Sequence, residues 1–224
     1  MRPPRLGRFR LASYGWRELV ALVALSAAGT VVAFWVSFYC LVPVFLGVGA
    51  FGLYFFRDPE RLPPSGEEKI LAPADGRVVE IAEVDEREFL DEPAVKVGIF
   101  LSLFDVHINR APCTGEVAYL RYEQGKFHNA LRTKAARDNE SNAIGISEDG
   151  GRGKVMVRQI AGRVARRIVC DCAVGQEVAR GERIGMIKLG SRTELYIPRR
   201  LLAGLQVSLG AKLRAGESVV GVFR

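Results

Sequence analysis

A serine that follows a glycine in Lys188-Leu189-Gly190-Ser191-Arg192-Thr193-Glu194 can do something unusual. Its hydroxyl can add to the glycine carbonyl and form an ester, elimination across that ester leaves dehydroalanine, and hydrolysis leaves a pyruvoyl group heading a new chain. A Gly-Ser pair by itself is ordinary turn material. The chemistry also needs a base, and the sequence holds only two histidines, His107 and His128. His107 lies in Ser102-Leu103-Phe104-Asp105-Val106-His107-Ile108-Asn109-Arg110, where a strand would share Asp105, His107 and Asn109 on one face and Val106 and Ile108 on the other. Asp75, in Pro73-Ala74-Asp75-Gly76, reads as an Asp-Gly turn residue or as a carboxylate that orients an imidazole. Asp75, His107 and Ser191 therefore form a candidate relay in which the imidazole takes the serine proton.

The elements that would position these residues fall into two classes. The run Leu19–Phe56 contains no Asp, Glu, Lys or Arg. It is too long for one straight spanning helix of about 20 residues and suits two helices joined by a tight connection, so residues 19–56 are expected to form a membrane helical hairpin. A buried core hairpin or a re-entrant pair fits the same run. Arg2, Arg5, Arg8, Arg10 and Arg17 precede it and Arg57 and Arg61 follow it, which places both flanks on the cytoplasmic side of a cell membrane. A cleaved signal peptide fits poorly, because the apolar run far exceeds a signal core. The net charge of +7 suits an anionic lipid surface. Nucleic acid explains it less well, since the basic residues are scattered and lack interleaved aromatics.

Beyond a Pro/Gly-rich linker at 58–66, short runs such as Arg77–Ile81, Val95–Phe100, Lys154–Val157 and Glu194–Ile197 alternate with glycines. Residues 57–224 are thus expected to form a β-rich catalytic domain, of mainly β (α+β) class, after a basic segment 1–18 and the hairpin. Two internal echoes support this. Ala72-Pro73-Ala74-Asp75-Gly76 resembles Ala111-Pro112-Cys113-Thr114-Gly115, and Gly175…Val178…Gly181-Glu182 resembles Gly210…Leu213…Gly216-Glu217. The second spacing matches the hammerhead half-barrel of biotinyl and lipoyl domains, where each glycine turns a strand. The polar stretch Gly125–Glu140, carrying Lys126, His128, Arg132, Lys134, Asn139 and Glu140, reads as a functional loop. Cys40, Cys113, Cys170 and Cys172 show no zinc spacing and read as reduced, packed thiols, the last two alternating onto one strand face.

Taken together, Pro73-Ala74-Asp75-Gly76, Phe104-Asp105-Val106-His107 with Arg110-Ala111-Pro112-Cys113-Thr114-Gly115, Asn139-Glu140-Ser141-Asn142 and Leu189-Gly190-Ser191 resemble the short, membrane-anchored bacterial form of the phosphatidylserine decarboxylase proenzyme family. The resemblance implies self-cleavage between Gly190 and Ser191 into a β chain (1–190) and an α chain (191–224) that stay in non-covalent complex, with a homodimer as the assembly. It implies a pyruvoyl cofactor made from Ser191, without metal or pyridoxal phosphate, that binds the substrate amine and takes up electrons as CO2 leaves phosphatidylserine. Asn109, Arg110, His128, Asn139 and Glu140 are the candidate substrate contacts, and Lys126, Arg132 and Lys134 candidates for the lipid phosphate. Many relatives carry a second histidine where this chain has Arg110, so His107 serves both reactions or the cleavage base is arranged differently, with His128 the other imidazole. Many carry threonine where this chain has Arg192, which is expected to alter processing or substrate contacts.

Two other classes fit parts of the sequence. A membrane-tethered biotinyl- or lipoyl-like carrier explains the anchor and the hammerhead echoes, but predicts a lysine at a hairpin tip. A serine hydrolase would use the same three residues, yet no Gly-x-Ser-x-Gly elbow surrounds Ser191.

Overall fold

The computed structural model describes residues 10–126, 138–162, 167–188 and 191–224. The chain divides into two compact units, Met1–Glu60 and Arg61–Arg224.

In the first unit, α1 (Trp16–Trp35) and α2 (Val42–Phe55) form the expected helical pair. The chain turns at Ser37, whose φ is 58°, and Pro43 sits in the first turn of α2, where its missing N–H costs nothing. Small residues let the helices approach, since a Cβ on Gly29 would lie 2.6 Å from the Phe45 ring and one on Gly52 2.6 Å from Leu22. Ala12 N donates to Phe56 O (2.8 Å) and Asp58 N to Arg10 O (2.7 Å), so both ends of the pair emerge together. The segment Ser13–Trp35 is long and apolar enough to cross a membrane, whereas Tyr39–Phe55 is a shorter apolar helix. Leu25, Val31, Val32, Phe34 and Trp35 remain exposed.

The second unit is β-structure, as expected. Its strands are β1 (Lys69–Leu71), β2 (Gly76–Glu86), β3 (Glu92–Leu101), β4 (Ile108–Arg110), β5 (Gly115–Glu123), β6 (Ser141–Glu148), β7 (Lys154–Ile160), β8 (Ile168–Cys170), β9 (Glu177–Val178), β10 (Arg183–Ile187), β11 (Ser191–Pro198), β12 (Leu202–Leu205), β13 (Lys212–Leu213) and β14 (Val219–Phe223). An eight-stranded antiparallel sheet curls through the unit in the order β13-β2-β3-β11-β7-β6-β5-β9, beside two three-stranded sheets, β1-β14-β12 and β4-β10-β8. Strand alternation sorts the large sheet's side chains. Val97, Ile99, Leu101, Ile144, Ile146, Val155, Val157, Leu195 and Ile197 face the main core, while Leu90, Ala94, Ala143, Met156 and Tyr196 form a smaller cluster.

The sequence echoes correspond to two equivalent halves. Leu71 N donates to Pro112 O and Arg110 N to Pro73 O, both at 2.9 Å, so the two Ala-Pro segments grip each other reciprocally. Gly216 N donates to Ala72 O and Gly181 N to Ala111 O, again both at 2.9 Å. The hammerhead glycines Gly175, Gly181, Gly210 and Gly216 have φ of 86°, 80°, 84° and 73°, a left-handed conformation that glycine adopts without a Cβ penalty.

One strand is shorter than the alternation suggested. The run 104–109 is not continuous strand, because Ser102 to Asp105 makes a turn and β4 begins only at Ile108. The Asp105 carboxylate closes that turn, accepting from Ser102 N (2.9 Å) and Ser102 Oγ (2.6 Å), and so does not share a strand face with His107. Cys172 likewise lies beyond the end of β8, so it does not alternate with Cys170 along a strand.

Candidate active site

Ser191 opens β11, a central strand paired with β3 on one side and β7 on the other. It faces Leu101 at the end of β3, while Arg192 faces Ile160 at the end of β7. The turn after β3, the segment after β7 and the start of β6 therefore meet at one end of the sheet, around Ser191. The Ser191 Oγ is fully buried and makes no hydrogen bond with any described residue. Leaving a hydroxyl in that state costs about 1–3 kcal/mol. Gly190, the other half of the expected cleavage site, lies outside the described residues, as does His128.

His107 is completely buried. Its carbonyl accepts from Ile187 N (3.2 Å), which ties it to the end of β10, four residues before Ser191 in the sequence. Its Nδ1 lies 2.9 Å from the Asp105 carbonyl oxygen. With the proton on Nδ1, donated to that carbonyl, Nε2 carries the lone pair and is the basic nitrogen. The group that orients the imidazole is thus the backbone of Asp105 and not its carboxylate.

Asp75 precedes β2 and is buried. Its Oδ1 accepts from Ala215 N (2.7 Å) and its Oδ2 from Arg61 Nη2 (2.9 Å), and Arg61 also reaches Glu217 at 2.7 Å. The bond to Ala215 N fits the turn reading of Asp75, and its Oδ2 pairs with the Arg61 guanidinium. The same segment approaches β4, because Pro73 O accepts from Arg110 N (2.9 Å) and Asn109 Nδ2 (3.3 Å).

Asn109 belongs to a buried polar chain. Asn142 Nδ2 donates to Gln159 Oε1, Gln159 Nε2 to Asn109 Oδ1, and Asn109 Nδ2 to Thr193 Oγ1, each at 3.0 Å. This chain runs along the same face of β11 as Ser191 and fixes Thr193, two residues on. Gln159 and Thr193 went unnoticed in the sequence, where the available signal was a polar residue at an inward position of an otherwise apolar strand. Arg110 points elsewhere: its Nη1 donates to Gly181 O at 2.8 Å, beneath Gly216. Asn139 and Glu140 are buried at the base of the 125–140 stretch. Asn139 Nδ2 donates to Ala161 O (2.7 Å), Ala161 N to Glu140 O (2.9 Å), and Glu140 N to Lys126 O (3.1 Å). Ala161 follows Ile160, so this base lies at the Ser191 end of the sheet. Arg132 and Lys134 lie outside the described residues.

Residues 48–221 match the model of the phosphatidylserine decarboxylase family. A phosphatidylserine decarboxylase proenzyme from Carboxydothermus hydrogenoformans is 43% identical over 207 residues, covering 92% of this chain and 93% of that relative. The proenzyme of the same name from Symbiobacterium thermophilum is 43% identical over 211 residues, covering 94% of each. That of Syntrophus aciditrophicus is 45% identical over 173 residues, covering 77% of this chain and 80% of its own.

Proposed function

Because this chain belongs to the phosphatidylserine decarboxylase family and is an enzyme of that kind, we propose that it matures by cutting itself between Gly190 and Ser191, and that the pyruvoyl group left at residue 191 serves the conversion of phosphatidylserine to phosphatidylethanolamine and CO2. Family membership displaces the carrier and hydrolase readings. The observation that carries the proposal is the buried Ser191 Oγ, unbonded among the described residues, at the head of a strand rooted between two others.

In the self-cleavage step, Nε2 of His107 takes the hydroxyl proton as the Ser191 oxygen adds to the Gly190 carbonyl, and the peptide nitrogen leaves as an amine to give an ester. Loss of the Ser191 Cα proton then expels the Gly190 carboxylate and leaves dehydroalanine, and water displaces its nitrogen as ammonia. The resulting pyruvoyl supplies a carbonyl that condenses with an amine and accepts the electron pair released with CO2. In this reading His107, buried with Nδ1 against the Asp105 carbonyl, holds or returns a proton at the same position. Asn109 and Thr193 hold the strand that bears residue 191. Asp75, charged and paired with Arg61, is the carboxylate that supports a cationic His107 in this reading.

Every residue of β11 is buried, so the 191–224 piece stays bound to the 1–190 piece after cutting. The N-terminal helices anchor the enzyme in the cell membrane with the catalytic unit on the cytoplasmic side, a reading supported by the apolar span Ser13–Trp35 and the arginines on both flanks. Lys126 and its basic neighbours in the sequence meet the anionic headgroup, and a homodimer is the assembly the family suggests.

The test is a carbonyl reagent. Hydroxylamine treatment of purified enzyme should abolish CO2 release from phosphatidylserine vesicles and add mass only to the 191–224 piece. Full activity after complete treatment would contradict the cofactor assignment.

A further inference from the structure

Ser191 and Thr193 face the main core, and the residue between them faces the other way. Arg192 is 2% exposed, and its guanidinium donates to Glu80 on β2 and forms an ion pair with Glu194 on its own strand, Nη2 lying 2.7 Å from Oε1. Lys96, on β3, lies 2.8 Å from Glu80 and 3.9 Å from Glu194, and Tyr196 OH donates to Glu194 Oε2 at 2.6 Å. Two cations and two carboxylates thus balance on the sheet face opposite the chemistry. Burial alone would raise the Glu80 carboxyl, but hydrogen bonds from Lys96 and Arg192 outweigh it and hold it below its ordinary value. Gly98 provides the room, because a Cβ there would stand 2.5 Å from the Arg192 Nη2.

The position of this clamp matters because of what cutting does to the strand. In the paired register, Ser191 has a partner on β3, whereas pairing with β7 begins at Arg192. Once the 190–191 bond is gone, residue 191 is a chain terminus, and termini fray unless tied down. Arg192 is the first residue of the new chain held from both sides, and its side chain reaches across β3 to β2. We infer that Arg192 is a positioning residue: by gripping Glu80 and Glu194 from the far face, it fixes the register of the newly made terminus against His107 and Asn109. Before cutting, the preceding residues tether position 191, so the clamp matters more for decarboxylation than for self-cleavage. This rests on the pyruvoyl reading of Ser191.

The experiment compares Arg192→Met, Arg192→Lys, Glu80→Gln and Gly98→Ala with the parent, measuring the extent of cutting by intact mass and kcat and KM per cut molecule on phosphatidylserine vesicles. Arg192→Met should cut at close to the parental rate, lose about ten-fold or more in kcat, and keep its KM, since a small misplacement of a reacting group is costly. Arg192→Lys should recover part of that loss. Gly98→Ala, which keeps every charge but displaces the guanidinium, should reproduce the loss, and Glu80→Gln should add little to Arg192→Met because the two share one interaction. Parental kcat per cut molecule in both Arg192→Met and Gly98→Ala would overturn the inference, as would cutting and kcat falling together in step with lost folded protein. A parent that is never cut would instead overturn the pyruvoyl reading itself.

Discussion

The segments 68–76 and 107–115 occupy equivalent places in the two halves of the catalytic unit, yet only the second leads to the serine. Their backbones do the same work, as the paired bonds of Leu71 to Pro112 and Arg110 to Pro73 show. Their side chains do not. At one equivalent position, Asp75 and Thr114 both cap a backbone amide, Ala215 N at 2.7 Å and Arg180 N at 3.2 Å, but Asp75 alone brings a charge and an arginine partner. At another, Ile70 fills the core where Asn109 joins the polar chain to Thr193. At a third, Glu68 is exposed where His107 is buried. The hammerhead backbone is thus a duplicated support, and the residues proposed for the chemistry lie at positions where the copies differ. This separates the two meanings of Asp75: its turn-capping oxygen is shared with Thr114, while its charge is not.

That contrast can be broken most severely at Ser191. Ser191→Ala should leave an uncut chain with no detectable CO2 release, and intact mass with a vesicle assay checks both. Next comes the Glu68/His107 pair. His107→Ala should reduce decarboxylation by about a hundred-fold or more, the range of a lost acid–base group, while Glu68→Ala leaves it within two-fold. Normal cutting in His107→Ala would confine that histidine to the second reaction. Asp75→Asn keeps a capping oxygen but removes the charge, and should slow the appearance of the 191–224 piece by about ten-fold, short of what a full acid–base group supplies. Thr114→Ala should leave cutting unchanged and cost about 1 kcal/mol in denaturant unfolding, the worth of one hydrogen bond. The smallest effects belong to the shared scaffold. Gly181→Ala and Gly216→Ala should each destabilise by about 1 kcal/mol or more from positive φ, with Gly181→Ala the worse because its Cβ would lie 2.7 Å from the rigid Pro63 ring, against 2.9 Å from the flexible Arg110 side chain for Gly216→Ala.

The duplicated support was legible in the sequence because it depends on glycines at fixed spacing, and a left-handed φ is a requirement that one residue type reveals locally. Ser191 and His107 stood out in the sequence for a similar reason, since few residue types can do the chemistry proposed for them. The placement of Asp105 was misread because strand alternation was carried through Ser102–Asp105, where a local serine-to-carboxylate hydrogen bond competes with the strand and wins. The polar chain of Asn142, Gln159 and Thr193 and the clamp around Arg192 were not legible. Both depend on which strands neighbour β11, and that order joins residues as distant as Glu80 and Arg192. A strand buried on both faces, with Arg192 and Glu194 inward, reads in sequence like a half-exposed one.

Whether Ser191 becomes the cofactor is read most directly by intact-mass spectrometry of the purified protein. Two polypeptides are expected, one ending at Gly190 and one spanning 191–224 with pyruvoyl in place of its serine. A chain that remains whole while releasing CO2 from phosphatidylserine would contradict it.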